Sequence, residues 1–157
     1  MRRNEISPNK KLKRKDVLLS PIQNGPVKNN FSLTSPTNLG SEEMKQKYLP
    51  DVATGEKFAA FGLTEANAGS DASGIQTTAV QDGDEWVLNG TKQWITNGGE
   101  AQIYTVVAMT DRSRGARGAS MFVVEEGDPG FSCGPKEMKM GIRTSSTTEL
   151  IFKDFPL

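Results

Sequence analysis

Residues 77–99 read TTAVQDGDEWVLNGTKQWITNGG. Runs of Thr, Val, Trp and Ile, short enough to be strands, are separated by Asp82-Gly83 and Asn89-Gly90 and closed by Asn97-Gly98-Gly99. Each of these pairs can take the positive φ of a tight hairpin turn, so the stretch predicts strands over Thr77–Gln81, Glu85–Leu88 and Lys92–Thr96. Working outward, Phe58–Leu63, Ile103–Met109, Ala119–Glu125 and Thr147–Phe152 have the same apolar or alternating character. The loop Asp111–Gly118, rich in Arg and Gly, reads as exposed. No long 3.6-residue period interrupts this pattern and no segment repeats. The prediction is an all-β fold, a glycine-punctuated meander closing into a barrel or sandwich. One short helix precedes it: Ser41 is a suitable N-cap, Glu42 and Glu43 are first-turn acids, Met44, Lys47 and Tyr48 continue the turn, and Pro50 is expected to end it.

The 157 residues allow one core and a tail. Residues 1–38 hold eight Lys or Arg against Glu5 and Asp16, a net charge of +6, which leaves −6 on the rest of a neutral chain. With Pro21, Pro26 and Pro36 and few apolar residues, this segment is expected to be a disordered basic tail. Its run Lys10-Lys11-Leu12-Lys13-Arg14-Lys15 has the composition of a phosphate-binding or nuclear-localisation patch, but such runs arise readily by chance and nucleic acid is not expected as a partner. The lone Cys133 excludes an internal disulfide and reads as a small apolar residue. The absence of histidine excludes Ser-His and Cys-His chemistry, and no metal site is expected. No apolar run reaches the roughly 20 residues of a membrane span, so a soluble protein is expected.

Two stretches could carry chemistry. On the predicted strand Lys92–Thr96, alternation places Trp94 and Thr96 on one face and Gln93 and Ile95 on the other. An aromatic plane beside a hydroxyl suits a flat heteroaromatic ligand, but a strand Trp is also an ordinary core residue. The second stretch is FGLTEANAGSD, residues 61–71, where an apolar lead breaks into small polar residues. Thr64 offers a hydroxyl and an N–H there, and Gly69-Ser70-Asp71 allows close approach of backbone to a ligand or simply a self-capped turn. The carboxylates Glu65, Asp71, Asp82, Asp84, Glu125 and Glu126 adjoin turns and read as solvated.

Taken together, Lys45-Gln46-Lys47-Tyr48-Leu49-Pro50, Leu63-Thr64-Glu65, Ala68-Gly69-Ser70-Asp71, Leu88-Asn89-Gly90, Trp94-Ile95-Thr96-Asn97-Gly98-Gly99 and Lys139-Met140-Gly141-Ile142-Arg143 make residues 39–157 resemble the β-barrel middle domain of the acyl-CoA dehydrogenases. The resemblance implies a flavoprotein that binds FAD and oxidises an acyl-CoA thioester to the 2,3-enoyl thioester. In that family a carboxylate takes the α-proton, a β-hydride passes to the flavin, and an electron-transferring flavoprotein accepts the electrons. By resemblance, Leu63 and Thr64 lie against the flavin pyrimidine, Trp94 and Thr96 against the flavin ring, and Ser70 hydrogen-bonds the pantetheine arm of the substrate. A cytoplasmic location, or the mitochondrial matrix in a eukaryote, goes with this function.

The resemblance also marks what the residues do not provide. Family members carry helical domains on both sides of this one, and the last supplies the catalytic glutamate. No catalytic base is therefore assigned, Glu65 included, and the chain is expected to be a fragment that needs helical domains or sister subunits. Ala66-Asn67 replaces the family's usual Pro-Gly, which loosens the loop without forbidding its turn. The alternatives are a non-catalytic β-module retained for partner binding and the equivalent domain of an acyl-CoA oxidase.

Overall fold

The computed structural model describes residues 40–157 and the backbone of Val17–Leu18. The expectation of a disordered tail over residues 1–38 otherwise lies outside the described residues. In chain order the elements are β1 (Val17–Leu18), α1 (Glu42–Thr54), β2 (Ala59–Gly62), β3 (Thr78–Asp82), β4 (Glu85–Thr96), β5 (Ile103–Met109), β6 (Ala119–Glu125), β7 (Phe131–Cys133) and β8 (Thr147–Pro156). The all-β prediction holds: the strands join in one curled sheet, ordered β1-β6-β5-β3-β4-β8-β7, with β2 added beside β5.

The connectivity is not a meander. β5 accepts two parallel neighbours, β2 along Ala59↔Ile103 to Gly62↔Val106 and β3 at Thr78↔Met109. Of the three predicted glycine turns, one joins neighbouring strands as expected. Asp82 pairs with Glu85 across a turn in which Gly83 has φ 61°. Asn97-Gly98-Gly99 does have positive φ at Asn97 and Gly99, but it does not join neighbouring strands: the chain goes on to β5, whereas the neighbours of β4 are β3 and β8.

Asn89-Gly90 is not a turn at all. β4 runs unbroken from Glu85 to Thr96, so the two strands predicted there are one. Opposite this dipeptide, Leu88↔Phe155 is followed by Gly90↔Phe152, which places an extra residue on β8, where Asp154 has φ 44°. The Asn89 amide is held by this bulge: its Nδ2 donates to Asp154 Oδ1 at 3.1 Å, and its Oδ1 accepts from the Asp154 N–H at 2.9 Å. Gly90 takes φ 148°, and Thr77, just before β3, is too close for a side chain; a Cβ would lie 2.6–2.8 Å from its Oγ1, Cα and Cβ.

Every residue of β5 is buried, because the sheet is covered on both faces. On one side Tyr104, Val106, Phe122 and Val124 join Leu88, Ile95 and Leu150, with a cluster of rings formed by Phe131, Phe152 and Phe155. On the other, Ile103, Val107, Met109, Met121 and Val123 pack against Met44 and Tyr48 of α1, with Phe61 and Leu63 at the margin. Ser41 caps α1 by accepting from the Met44 N–H, as its sequence predicts. The helix does not end at Pro50. Its inward stripe Met44, Tyr48 and Val52 continues past the proline, and left-handed Gly55 (φ 79°) terminates it.

Candidate functional site

The polar stretch after β2 is positioned by a close crossing. At Gly62 an added Cβ would lie 3.1 Å from Leu150 Cδ1 and 3.5 Å from Lys92 Cγ, so glycine lets β2 run onto β4 and β8. Leu63 and Thr64 follow, both half-buried. Two bonds from β4 then fix their carbonyls: Lys92 Nζ donates to Leu63 O at 3.2 Å, and the Gln93 N–H donates to Thr64 O at 2.8 Å.

Glu65 is next, and it is not the solvated turn acid its sequence context suggests. It is 5 % exposed and Lys92 is fully buried, their carboxylate–ammonium distance being 2.7 Å. Glu65 Oε1 also accepts from the Thr77 N–H at 3.0 Å and Thr77 Oγ1 at 2.6 Å, while Oε2 accepts from the Gln76 N–H at 2.6 Å. Burial alone pushes the carboxyl up, but the bonds from Lys92, Thr77 and Gln76 outweigh it and hold Glu65 below its ordinary range. Burial lowers Lys92, and Glu65 opposes that shift. Arg112 supports the same strip from the other side, donating from Nη2 to Gln76 O at 3.0 Å.

Glu125 is also engaged, although its side chain remains 39 % exposed. Its Oε1 accepts from Lys47 Nζ at 2.6 Å and from Tyr48 Oη at 2.9 Å, tying α1 to β6.

Beyond Glu65, a two-way bridge with Ala68 folds the loop back on itself. Ser70 and Gly69 are exposed, and a Cβ on Gly69 would meet nothing within 4 Å. Asp71 caps the following turn by accepting from the Ser73 N–H at 3.0 Å and from its hydroxyl, bonds that hold its carboxyl below the usual value.

On β4 the register shifts again. Lys92↔Leu150 is followed by Ile95↔Thr148, so here the extra residue is on β4, and Trp94 takes φ 55°. The bulge explains why Lys92 and Ile95 are both buried although an odd number of positions separates them. It turns Trp94 outward, where the side chain is 58 % exposed, and Thr96 is exposed beyond it. Trp94 and Thr96 thus do lie together outside the core, opposite Ile95, although the cause is the bulge and not simple alternation. The ordinary reading of a strand Trp as core does not hold for Trp94.

The structure links four of the sequence-predicted residues and leaves Ser70 apart from them on the loop. Leu63 and Thr64 are stitched through their carbonyls to the β4 segment that leads directly into Trp94 and Thr96, and Ser70 projects from the same loop farther on. Leu63 turns its side chain toward the α1-side core. Sequence reasoning missed Lys92. The available signal was its even spacing from buried Leu88, hidden by reading Asn89-Gly90 as a turn. Other large apolar side chains are also open to solvent, among them Phe58 at 59 %, Met138 at 100 %, Met140 at 99 % and Ile142 at 79 % exposed.

The chain is thus a twisted β-domain that presents an outward aromatic, an exposed hydroxyl on the same strand and a loop of small residues. The acyl-CoA dehydrogenase middle-domain family matches residues 60–155, and the chain belongs to this family, as a middle domain. It is 56 % identical over 115 residues to the short-chain-specific acyl-CoA dehydrogenase of Clostridium acetobutylicum, covering 73 % of this chain and 30 % of that one. Butyryl-CoA dehydrogenase from Megasphaera elsdenii superposes with a TM-score of 0.73 at 54 % identity, over 75 % of this chain and 31 % of that one. A glutaryl-CoA dehydrogenase from Mycobacterium smegmatis, solved in complex with FADH2, gives a TM-score of 0.75 at 42 % identity, over 80 % of this chain and 31 % of that one. The chain therefore spans about 30 % of the length of the curated relatives it matches.

Proposed function

We propose that this chain supplies the FAD- and acyl-CoA-contacting part of an enzyme that oxidises acyl-CoA thioesters to 2,3-enoyl thioesters. The observation that carries this reading is Trp94, a 58 % exposed indole at positive φ, beside exposed Thr96 and a loop of small residues. A large aromatic held outside the core in a costly backbone conformation is accounted for by a partner that covers it. When bound, FAD supplies the acceptor for the β-hydride. Trp94 offers its ring to stack on the flavin and exclude water, and Thr96 offers a hydroxyl to it. Leu63 and Thr64 offer backbone toward the flavin pyrimidine, and Ser70 offers a hydroxyl to the pantetheine amides.

Glu65 is not the α-proton base. Both of its oxygens are taken by Lys92, Thr77 and Gln76, and its pKa is lowered, which is the wrong direction for a proton acceptor poised near neutrality. In this reading the base belongs to a helical domain, and the open side chains of Met138, Met140 and Ile142 belong to the surface that such domains cover. An electron-transferring flavoprotein is the electron acceptor.

The test is reconstitution. The chain is mixed with FAD and a polypeptide bearing the flanking helical domains of a short-chain relative, and dye reduction by butyryl-CoA is followed. Turnover that depends on the chain and is impaired by Thr96→Val supports the proposal; a folded chain that takes up no flavin under any pairing contradicts it.

A further inference from the structure

We infer that Lys92 and Glu65 act as a buried positioning pair, which sets the register of the Leu63-Thr64 backbone against Trp94 and so the geometry of the proposed flavin surface. This inference rests on the flavin reading above and extends it to residues that do not touch the ligand.

A buried ion pair is a poor device for stability alone, because desolvating two charges costs about as much as their attraction returns. The pair here has a second property: it bridges three stretches that no regular ladder joins. Lys92 Nζ spans from Leu63 O at 3.2 Å to Glu65 Oε1 at 2.7 Å. Glu65 in turn collects the N–H groups of Gln76 and Thr77 and the hydroxyl of Thr77. With Gly62 against Lys92 Cγ, the lysine stem also fixes the point at which β2 crosses β4. Among the described residues, the backbone bond from the loop to this part of β4 runs from Gln93 N–H to Thr64 O, at 2.8 Å, immediately before Trp94. Lys92 is therefore the residue from which both halves of the surface are measured: its side chain holds Leu63 and Glu65, and its backbone leads through Gln93 into the bulge that turns Trp94 outward.

The network is closed. Among the described residues no buried side-chain N or O atom lacks a hydrogen-bond partner. Thr77, at the far end, is also the residue against which Gly90 packs, so the pair is anchored to the segment leading into β3 as well as to β4. A closed polar network with discrete partners specifies one arrangement of its chain segments, where an apolar contact would tolerate several.

The experiment compares the parent chain with Lys92→Met and with the charge-free double variant Lys92→Met/Glu65→Gln, which leaves no unpaired buried charge and stays measurable if the single variant fails to fold. Amide hydrogen exchange is read at Gln93 and in β5–β6, and flavin affinity and visible spectrum are read in the reconstituted complex. The expected result for the double variant is at least a tenfold faster exchange at Gln93 with β5–β6 amides as slow as in the parent, and at least tenfold weaker FAD binding with an altered spectrum at saturation. A merely structural pair would change exchange uniformly or leave the spectrum of bound flavin unmoved, and either outcome overturns the inference. If the parent binds FAD and the double variant matches it in local exchange and affinity, the positioning role falls while the flavin reading stands. If the parent takes no flavin in any pairing, the flavin reading falls first and the positioning role with it.

Discussion

Replacing Gly90 by alanine tests the packing beneath the site. The residue sits at φ 148°, and the new Cβ would lie 2.6 Å from Thr77 Oγ1, 2.7 Å from its Cα and 2.8 Å from its Cβ. Backbone atoms cannot rotate away as the end of a flexible side chain can, so the segment leading into β3 must move away from β4. The unfavourable φ costs roughly 1–3 kcal/mol and the overpacking about the same again, for a loss of about 2–6 kcal/mol. Thr77 is also the double donor to Glu65, so the strain falls on the buried pair. At roughly 3–5 °C per kcal/mol for a chain of this size, the melting temperature should fall by about 6–30 °C. The assay is thermal unfolding followed by circular dichroism, with Gly69→Ala as the control, since nothing lies within 4 Å of a Cβ there and its φ is ordinary. If Gly90→Ala melts within roughly 2 °C of the parent, Thr77 and β4 are not in the contact described and the bulge account is wrong.

Three further outcomes follow from the same geometry. Trp94→Ala should change the free energy of unfolding by less than about 1 kcal/mol, far below the roughly 3–5 kcal/mol of a core aromatic, while weakening flavin uptake; chemical denaturation and FAD titration check the two halves. Gly69→Ala should leave stability within about 0.5 kcal/mol of the parent yet impair ligand binding in the reconstituted complex, because the space beside it is open to a ligand and not filled by the chain. Glu65 has a folded pKa below its ordinary 4.5, so its contribution to stability is fully present above that value and is lost as the pH falls through the lower folded value. Urea unfolding between neutral pH and pH 3 should therefore show an acid loss that is smaller in Glu65→Gln, and an identical pH dependence in the two proteins would contradict the assignment.

The strands were legible where local chemistry alone decides them. β5 and β6 fall on their predicted spans, Asp82-Gly83 makes its hairpin, and Ser41 caps its helix. The failures share one physical cause, which is that distant residues settle them. Asn89-Gly90 has the composition of a turn, but it is kept in a strand by the bulge at Asp154, with partners 65 positions away along the chain. Pro50 carries a helix-stop signal that the packing of α1 on β5 and β6 overrides. Glu65 looks like a turn acid because its partners Thr77 and Lys92 are 12 and 27 positions away. β7 is only Phe131–Cys133, too short for alternation to show, and exists by pairing with β8. At the candidate site, the outward pairing of Trp94 and Thr96 was readable, but the bulge that produces it was not.

The most direct test of the central claim is a domain exchange. Residues 60–155 are placed in Megasphaera elsdenii butyryl-CoA dehydrogenase in place of the matching segment, to which this chain is 54 % identical. The account predicts a folded, yellow protein that reduces dye with butyryl-CoA and loses its flavin when Trp94 and Thr96 are both replaced by alanine. A folded chimera that is colourless, or one whose flavin and turnover are indifferent to those two residues, would contradict it.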